Sequence, residues 1–352
     1  QASSSGIVVS AQRAMQDIVT MQCVSIRSQD LAKLPVHVWR KKKGGAKEIA
    51  AGHPLERILR RPNKWQTWIE FCEQMQVAYL LKSNAYAPIV RDGRAKPTSL
   101  IPLALEQPVC LYAAGDGDLY YEIARTTEWE RALLKDFPAR IPAADVVHLR
   151  WLTFDGLGGL SRLGLMKNAI GLNLALEEHS SKLFANGARP GGTLETDQKL
   201  SDTAFARIRS QWQERYGGSD NAGKTALLEE GLKFHVGQMT SVESETVEAR
   251  RAQIATGFDV PMHRLGIIPD GGGAAIIQAH QMYLNNTLSS DAERWEAKLN
   301  AMFDLDGESE FVEFDLDRFN RADIQTRLTA YGTAITRSIY TVNEARRAEG
   351  LA

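Results

Sequence analysis

The sequence has little cysteine, no long apolar run and no excess of either charge. Its 352 residues include three cysteines, Cys23, Cys72 and Cys110. An odd number, far apart and without a CxxC pair, argues against a disulfide framework or a thiolate zinc site and fits a reducing compartment. No apolar stretch approaches the roughly 20 residues that a bilayer demands. The start, Gln1-Ala2-Ser3-Ser4-Ser5, has neither the basic segment nor the apolar core of a signal peptide. It also has no initial Met, as expected of a processed or trimmed chain. Lys and Arg number 42 against 43 Asp and Glu, a net charge of −1. A protein that coats nucleic acid through bulk charge is clearly basic, so this balance speaks against one. The seven histidines form no HExxH, no GxSxG elbow occurs, and the carboxylates are scattered. Neither a metal site nor a catalytic residue nor a cofactor site is expected.

What is present is ordinary globular material, 43% hydrophobic and 24% charged, in a chain long enough for two or three cores. The charge is uneven along it. Residues 1–64 hold 12 Lys/Arg against 4 Asp/Glu, and the rest hold 30 against 39. The basic excess centres on Arg40-Lys41-Lys42-Lys43, which precedes Gly44-Gly45 and is expected to be a solvated hairpin tip. The competing reading is a DNA-coating surface.

An apolar stripe (Ala14, Ile18, Met21, Val24, Leu31, Leu34) predicts a helix over 7–34, ended by Pro35. Val36-His37-Val38-Trp39 alternates like a strand. Thr67-Trp68-Ile69-Glu70 is a capping box opening a helix whose buried face is Trp68, Phe71, Met75 and Tyr79. Strands follow at 87–90, 109–112 and 119–121 around turn pairs, and one more at 141–149. The first 150 residues are therefore expected to be α+β with an antiparallel sheet. Ser161 to Asn186 predicts one helix of about 26 residues, stopped by Gly187. Leu163, Met166, Ile170 and Leu174 share one face, while Leu165, Leu172 and Leu176 lie elsewhere, so this helix needs more than one neighbour.

Residues 188–239 form an insert too small for an independent core. It has a strand at 191–195, a helix from Ser201-Asp202 with Phe205, Ile208, Trp212 and Tyr216 on one face, and a hairpin of 226–228 with 232–234. A helix over 241–258 returns from it. A third long helix over 274–303, a strand at 311–314, a helix through Ile324, Leu328, Tyr331 and Ile335, and a short helix capped by Thr341 and Glu344 complete the chain.

Gly218 to Thr225 matches the phosphate-loop pattern GxxxxGK[ST] letter for letter. That loop needs a strand before it and a helix after it, so that a helix N-terminus faces the phosphate. Here the order is reversed. A P-loop NTPase is kept as the alternative function. Gly156-Leu157-Gly158-Gly159-Leu160-Ser161 is half a dinucleotide fingerprint and is expected to be a tight turn into the long helix. His148, in an apolar strand, is expected to be a hydrogen-bonded core residue. Of Trp39, Trp65, Trp68, Trp129, Trp151, Trp212 and Trp295, most fall on predicted buried faces.

Short motifs in a fixed order then carry a resemblance. They are Leu34-Pro35-Val36-His37-Val38, His53-Pro54-Leu55, Arg61-Pro62-Asn63, Asn84-Ala85-Tyr86 and Val147-His148-Leu149-Arg150. Asp155-Gly156, Gly159-Leu160-Ser161, Phe184-Ala185-Asn186-Gly187-Ala188 and Asn221-Ala222-Gly223-Lys224 follow. The series ends with Leu228-Glu229-Glu230-Gly231, Val260-Pro261, Leu265-Gly266 and Asn343-Glu344-Ala345-Arg346. Together they resemble the HK97-like family of phage portal proteins almost end to end. Ser83, Arg162 and Ser289 depart from the family pattern, which has Gly, Pro and Pro there, and the family's Pro/Gly-rich C-terminal tail is missing.

The resemblance implies an α+β portal fold. Its parts would be a wing over 1–160, stem helices over 161–186 and 241–260, and a small α/β clip over 187–240. A tunnel-loop region over 261–275, a long helix and returning wing strand over 276–319, and a helical, truncated crown over 320–352 would follow. It implies a homo-oligomeric ring of twelve at one capsid vertex, through which double-stranded DNA is packaged and ejected. The implied partners are the large terminase subunit, the major capsid and scaffolding proteins and the head–tail connector protein, with no membrane, no cofactor and no enzymatic activity. The place implied is the virion, with the host cytoplasm during assembly. The implied DNA-facing tunnel loop is Ile268, Pro269, Asp270, Gly271, Gly272 and Gly273. The clip residues expected to dock terminase or connector are Arg189, Arg207, Arg215, Lys224, Glu229 and Glu230. Residues 187–238 balance seven Lys/Arg with seven Asp/Glu, which suits DNA that must slide rather than be gripped.

Overall fold

The computed structural model describes residues 2–42, 46–113, 115, 117–185, 192–197, 200–216, 233–236, 244–267, 272–316, 324–349 and 351. The chain opens with α1 (Ala11–Ala14), α2 (Ile18–Ala32), β1 (Val36–Lys41), β2 (Lys47–Ile49), α3 (Pro54–Arg60) and α4 (Trp68–Lys82). Next come β3 (Asn84–Arg91), β4 (Pro97–Leu100), β5 (Val109–Ala113), β6 (Leu119–Ile123), α5 (Glu128–Leu133), β7 (Arg140–Pro142) and β8 (Val146–Arg150). The long helix is α6 (Arg162–Ala185), followed by β9 (Gly192–Glu195), α7 (Asp202–Tyr216), β10 (Lys233–Val236) and α8 (Ser244–Gly257). The remainder is α9 (Gly272–Met282), α10 (Ser289–Met302), β11 (Glu310–Phe314), α11 (Ile324–Thr336) and α12 (Val342–Ala348). Among the described residues no helix is long and apolar enough to cross a membrane.

The chain divides into two compact units. One comprises residues 1–26, 80–84 and 151–269, the other 27–79, 85–150 and 270–352.

The second unit contains three small sheets. In the first, β1 lies between β11 and β2, antiparallel to both, with Val38 opposite Val312 and Trp39 opposite Ile49. Val36, Val38, Val312 and Phe314 point inward and are buried. Arg40 and Lys42 are exposed and pair with Glu310 and Glu48, as a solvated hairpin arm should; its tip, 43–45, lies outside the described residues. The second sheet has the order β4-β3-β8 and the third β5-β6-β7. A single strand over 141–149 is not what forms. A short 3₁₀ turn at Ala143–Asp145 separates β7 from β8 and sends them to different sheets. Two strands that bury Ile141 and Val146–Leu149 simulate one apolar run in the sequence.

The capping box forms as expected: Glu70 accepts the Thr67 N–H at 2.7 Å, and Thr67 Oγ1 accepts the Glu70 N–H at 3.4 Å. Trp68, Phe71, Met75 and Tyr79 are buried on that helix. Trp68, Phe71 and Trp295 pack as an aromatic trio with ring centroids 5.6–6.2 Å apart. A buried polar network lies beside it. Trp295 Nε1–H donates to Gln76 Oε1 at 3.0 Å, and Gln76 Nε2 donates to Asp291 at 2.8 Å. Arg27 grips both Asp291 oxygens at 2.8 Å, a bidentate pair that fixes geometry as well as charge.

The third long helix, expected as one piece, runs on from α9 to α10 through a π-type turn at Tyr283–Leu288. Ser289 sits where that turn closes. Its N–H reaches back five residues to the Leu284 carbonyl, and its hydroxyl donates to Asn285 O at 2.7 Å. A proline there would supply neither donor.

Trp65 and Trp129 are a correction to the expectation of burial. Both are exposed and meet edge to face, centroids 5.8 Å apart, beside an apolar cavity of about 430 Å³. The Trp129 helix, α5, has its own capping box from Thr127 and Glu130.

In the first unit, the helix expected over 7–34 is broken after Ala14. The Asp17 carboxylate accepts the Thr20 N–H at 2.8 Å and its hydroxyl at 2.5 Å, starting α2 afresh as an N-cap does. Ile18, expected on the buried stripe, is exposed.

Candidate functional site

The helix pair and its insert are the elements to which the sequence assigns function, and both belong to the first unit. Ser161 Oγ accepts the Gly164 N–H at 3.2 Å, and Ser83 Oγ accepts the Arg162 N–H at 3.0 Å, so the first turn of α6 is doubly capped. Ser83 is held in the left-handed region, φ +62°, where glycine is at ease and serine is not. Gly159 is required by contact. A Cβ there would lie 2.1 Å from the Ser83 carbonyl oxygen. Its N–H and C=O both bond Asn84, at 2.8 and 2.9 Å.

The Gly156–Ser161 stretch is thus a tight turn into the helix, as expected. Asp155 orders it by accepting the N–H groups of Leu157 and Gly158 and the Thr153 hydroxyl. Those bonds, the backbone ones foremost, hold its carboxyl down at about 2.

Arg162 is 1% exposed. Its guanidinium donates to Gly257 O at 2.9 Å, pairs with Asp259 at 3.3 Å and lies 4.1 Å from the Trp151 ring centroid. It thereby ties the first turn of α6 to the last of α8. The two helices pack on each other. Gly257 lets Met166 in, because a Cβ there would be 2.4 Å from the Met166 methyl.

Farther along α6, the Asp17 carboxylate also accepts from Asn173 Nδ2, and Arg13 pairs with Glu178. Burial, and then the charge on Asp17, raise the Glu177 carboxyl against the pull of Arg251. Leu163, Ile170 and Leu174 are buried on the expected face, while Leu165 is 63% exposed and Leu172 39%. Among the described residues nothing fully covers Leu165 or Leu172, while Leu176 is half-buried, in line with the expectation of further neighbours.

The described part of the insert has the expected strand and helix, β9 and α7. Ser201 Oγ caps α7 by accepting the Ala204 N–H at 3.3 Å. The strand β10 at 233–236 pairs antiparallel with β9, with Phe234 opposite Leu194; the 226–228 half of the expected hairpin lies outside the described residues. Lys233 and Asp197 form an exposed ion pair, and His235 Nε2 lies 3.0 Å from Glu195 across this ribbon. Phe205 corrects the expectation of an inward apolar face, being 58% exposed. None of the insert residues whose burial is described is fully buried, because one helix and a two-stranded ribbon offer no second layer.

Of the expected docking residues, Arg207 is exposed on α7, and Arg215 lies in its last turn. Arg189, Lys224, Glu229 and Glu230 lie outside the described residues, as does the phosphate-loop match Gly218–Thr225. The helix α7, ending at Tyr216, stands directly before that match, the reverse of what a nucleotide site needs. Of the expected tunnel loop, Ile268, Pro269, Asp270 and Gly271 lie outside the described residues, and Gly272 and Gly273 open α9, Gly272 with φ +69°. Among the described residues no group of three or more His, Cys, Asp or Glu is placed to hold a metal.

His148 is the buried hydrogen-bonded residue expected. Its Nδ1 lies 2.9 Å from the Tyr121 hydroxyl, and its ring stacks on Tyr86 at 4.3 Å. Burial first, then Arg150 and Lys298, push it down to about 3, so it is neutral at ordinary pH. The structural role of Arg162 and the Arg27–Asp291–Gln76 network were not foreseen. An arginine opening an apolar helix was the only signal for the former.

With this geometry in view, comparison with known proteins is informative. The family model described as "Phage portal protein" matches residues 19–350. The chain belongs to the phage portal protein family. A probable portal protein of Streptomyces phage phiC31 is 27% identical, over 99% of this chain and 77% of its own length. The portal protein of Enterobacteria phage HK97 is 27% identical, over 97% and 80%. Among solved structures, an HK97-family phage portal protein from Corynebacterium diphtheriae superposes with a TM-score of 0.63 at 14% identity, over 88% of this chain and 96% of that one. A chain from the neck of a native gene transfer agent particle, computed with C12 symmetry, gives 0.63 at 22% identity, over 98% and 93%. The α+β portal fold is thus established by sequence and by structure, and the phosphate-loop reading gains no support from either.

Proposed function

We propose that twelve copies of this chain form a ring at one capsid vertex, and that double-stranded DNA passes through its channel during packaging and ejection. In this reading α6 and α8 are the stem, the insert between them is the clip, residues 1–160 with β11 are the wing, and the last helices are the crown. The clip docks the large terminase subunit during packaging and the head–tail connector afterwards, with the exposed Arg207 as one contact. Residues 268–273 face the DNA. The wing meets the capsid and scaffolding proteins. The chain does no chemistry itself, and the ring assembles in the host cytoplasm before it becomes part of the virion.

The observation that carries this reading is the unfinished burial along the helix–insert–helix in a chain matched throughout by portal proteins. Leu165, Leu172 and Phe205 are apolar and exposed, and a head-to-tail ring supplies each subunit with two neighbours. The balanced charge of the insert suits a channel that must release what passes through it. Native mass spectrometry and electron microscopy of the purified chain test the reading. A closed ring of twelve is expected, and a monomer that persists at high concentration, alone and with its connector and scaffolding partners, refutes it.

A further inference from the structure

In the second unit, the end of β8 and the middle of α10 border an open surface pocket of about 530 Å³. Three cations line it: Arg150 from the last position of β8, and Arg294 and Lys298, one turn apart on α10. The Ser290 hydroxyl, one turn before Arg294, and the single carboxylate of Glu293 complete the polar wall. The Arg294 guanidinium is tethered there, donating to the Arg150 carbonyl at 3.3 Å and lying 6.0 Å from the Tyr79 ring centroid. Among the described residues, no hydrogen bond or ion pair engages the Lys298 ammonium or the Glu293 carboxylate.

This arrangement is electrostatically unfavourable when empty. Like charges four residues apart on a helix repel. Burial, and then Arg150, push the Lys298 ammonium down from its usual value, and no carboxylate offsets either effect. His148 at the pocket wall is neutral and compensates nothing. Two arginines, a lysine and a serine around one concave space match a tetrahedral oxyanion of the phosphate type, with donor groups enough for several oxygens. A lone carboxylate would leave most of them unused.

We propose that this pocket binds a phosphate-class oxyanion through Arg150, Arg294 and Lys298, with Ser290 as a neutral donor. Two sources supply such a group, the free ion and the phosphodiester backbone of a nucleic acid. The site stands independently of the ring.

The test uses the full chain at fixed ionic strength, with inorganic phosphate as the probe and chloride as the control, read by calorimetry and thermal unfolding. Phosphate is expected to raise Tm where chloride does not. Lys298→Gln is expected to raise the Tm of the phosphate-free protein, because the repulsion is gone, while weakening phosphate binding at least tenfold. Arg294→Gln is expected to weaken it as well. A short DNA duplex that competes with phosphate, and loses affinity in Lys298→Gln, identifies the phosphodiester as a source. Phosphate binding without such competition assigns the site to the free ion. The proposal is overturned if phosphate acts no differently from chloride, or if both variants bind it as the parent does.

Discussion

The α10 region and the insert start from the same kind of sequence and end differently. Each has an amphipathic helix with a large aromatic on its apolar face. On α10, Trp295 is buried against Trp68 and Phe71, and its indole N–H is bound by Gln76. On α7, Phe205 is exposed, in an insert whose other described element is a two-stranded ribbon. The difference lies in the number of layers available, not in the helix. A pattern of apolar residues states what a helix needs to bury; only the surrounding chain decides whether it can.

The largest way to test this contrast is Asp291→Ala, which leaves the buried Arg27 guanidinium without its carboxylate. A loss of about 3–5 kcal/mol is expected in denaturant unfolding. Little change would mean that the network around Trp295 is not what anchors α10.

Acid should strain the same unit. The folded pKa of His148 lies far below the ordinary 6.5, at about 3, so the unfolded chain takes up its proton first. Stability is full above about pH 6.5 and falls as pH drops toward 3. His148→Phe is expected to flatten that part of the curve of unfolding free energy against pH.

A smaller effect is expected at the base of α6. Ser83→Gly relieves a left-handed serine, worth about 1–2 kcal/mol, but removes the acceptor of the Arg162 N–H, worth about 1 kcal/mol. The two nearly cancel in the parent. In an Arg162→Pro background there is no N–H to satisfy, and Ser83→Gly should stabilise by about 1 kcal/mol. A double-mutant cycle measures the coupling.

The smallest effect on the subunit is expected from Phe205→Ser, within about 0.5 kcal/mol for an exposed position. In the proposed ring the same change should lower the fraction of closed rings seen by native mass spectrometry. A large loss of subunit stability would show that the insert has a core after all.

Local signals made much of the fold legible. The Thr67–Glu70 and Thr341–Glu344 boxes mark α4 and α12, and the unbroken run from Ser161 marks α6. Legibility failed where a distant partner decides. The Asp17 carboxylate, which breaks the first helix, is also held by Asn173, and the Arg27–Asp291 pair joins residues 264 positions apart. The split of 141–149 into two strands was hidden because both halves are apolar. As for the candidate site, the sequence outlined the helix–insert–helix and placed Arg207 on its surface. It gave no sign of the cationic pocket, whose Arg150 and Lys298 meet only when β8 packs on α10.

The two departures at Ser83 and Arg162 looked unrelated in the sequence and touch in the structure. A residue that regains an N–H sits against one that regains an acceptor, so the oddities account for each other.

The pairing of β1 with β11 brings Val36 opposite Phe314 and closes a loop that takes in most of the polypeptide. Closing such a span has an entropic cost that grows only with the logarithm of its length, about 0.6 kcal/mol for each doubling. Lengthening or replacing the segment between α6 and α8 would hardly register there. The chain can therefore exchange that segment for another without disturbing the pairing of β1 with β11.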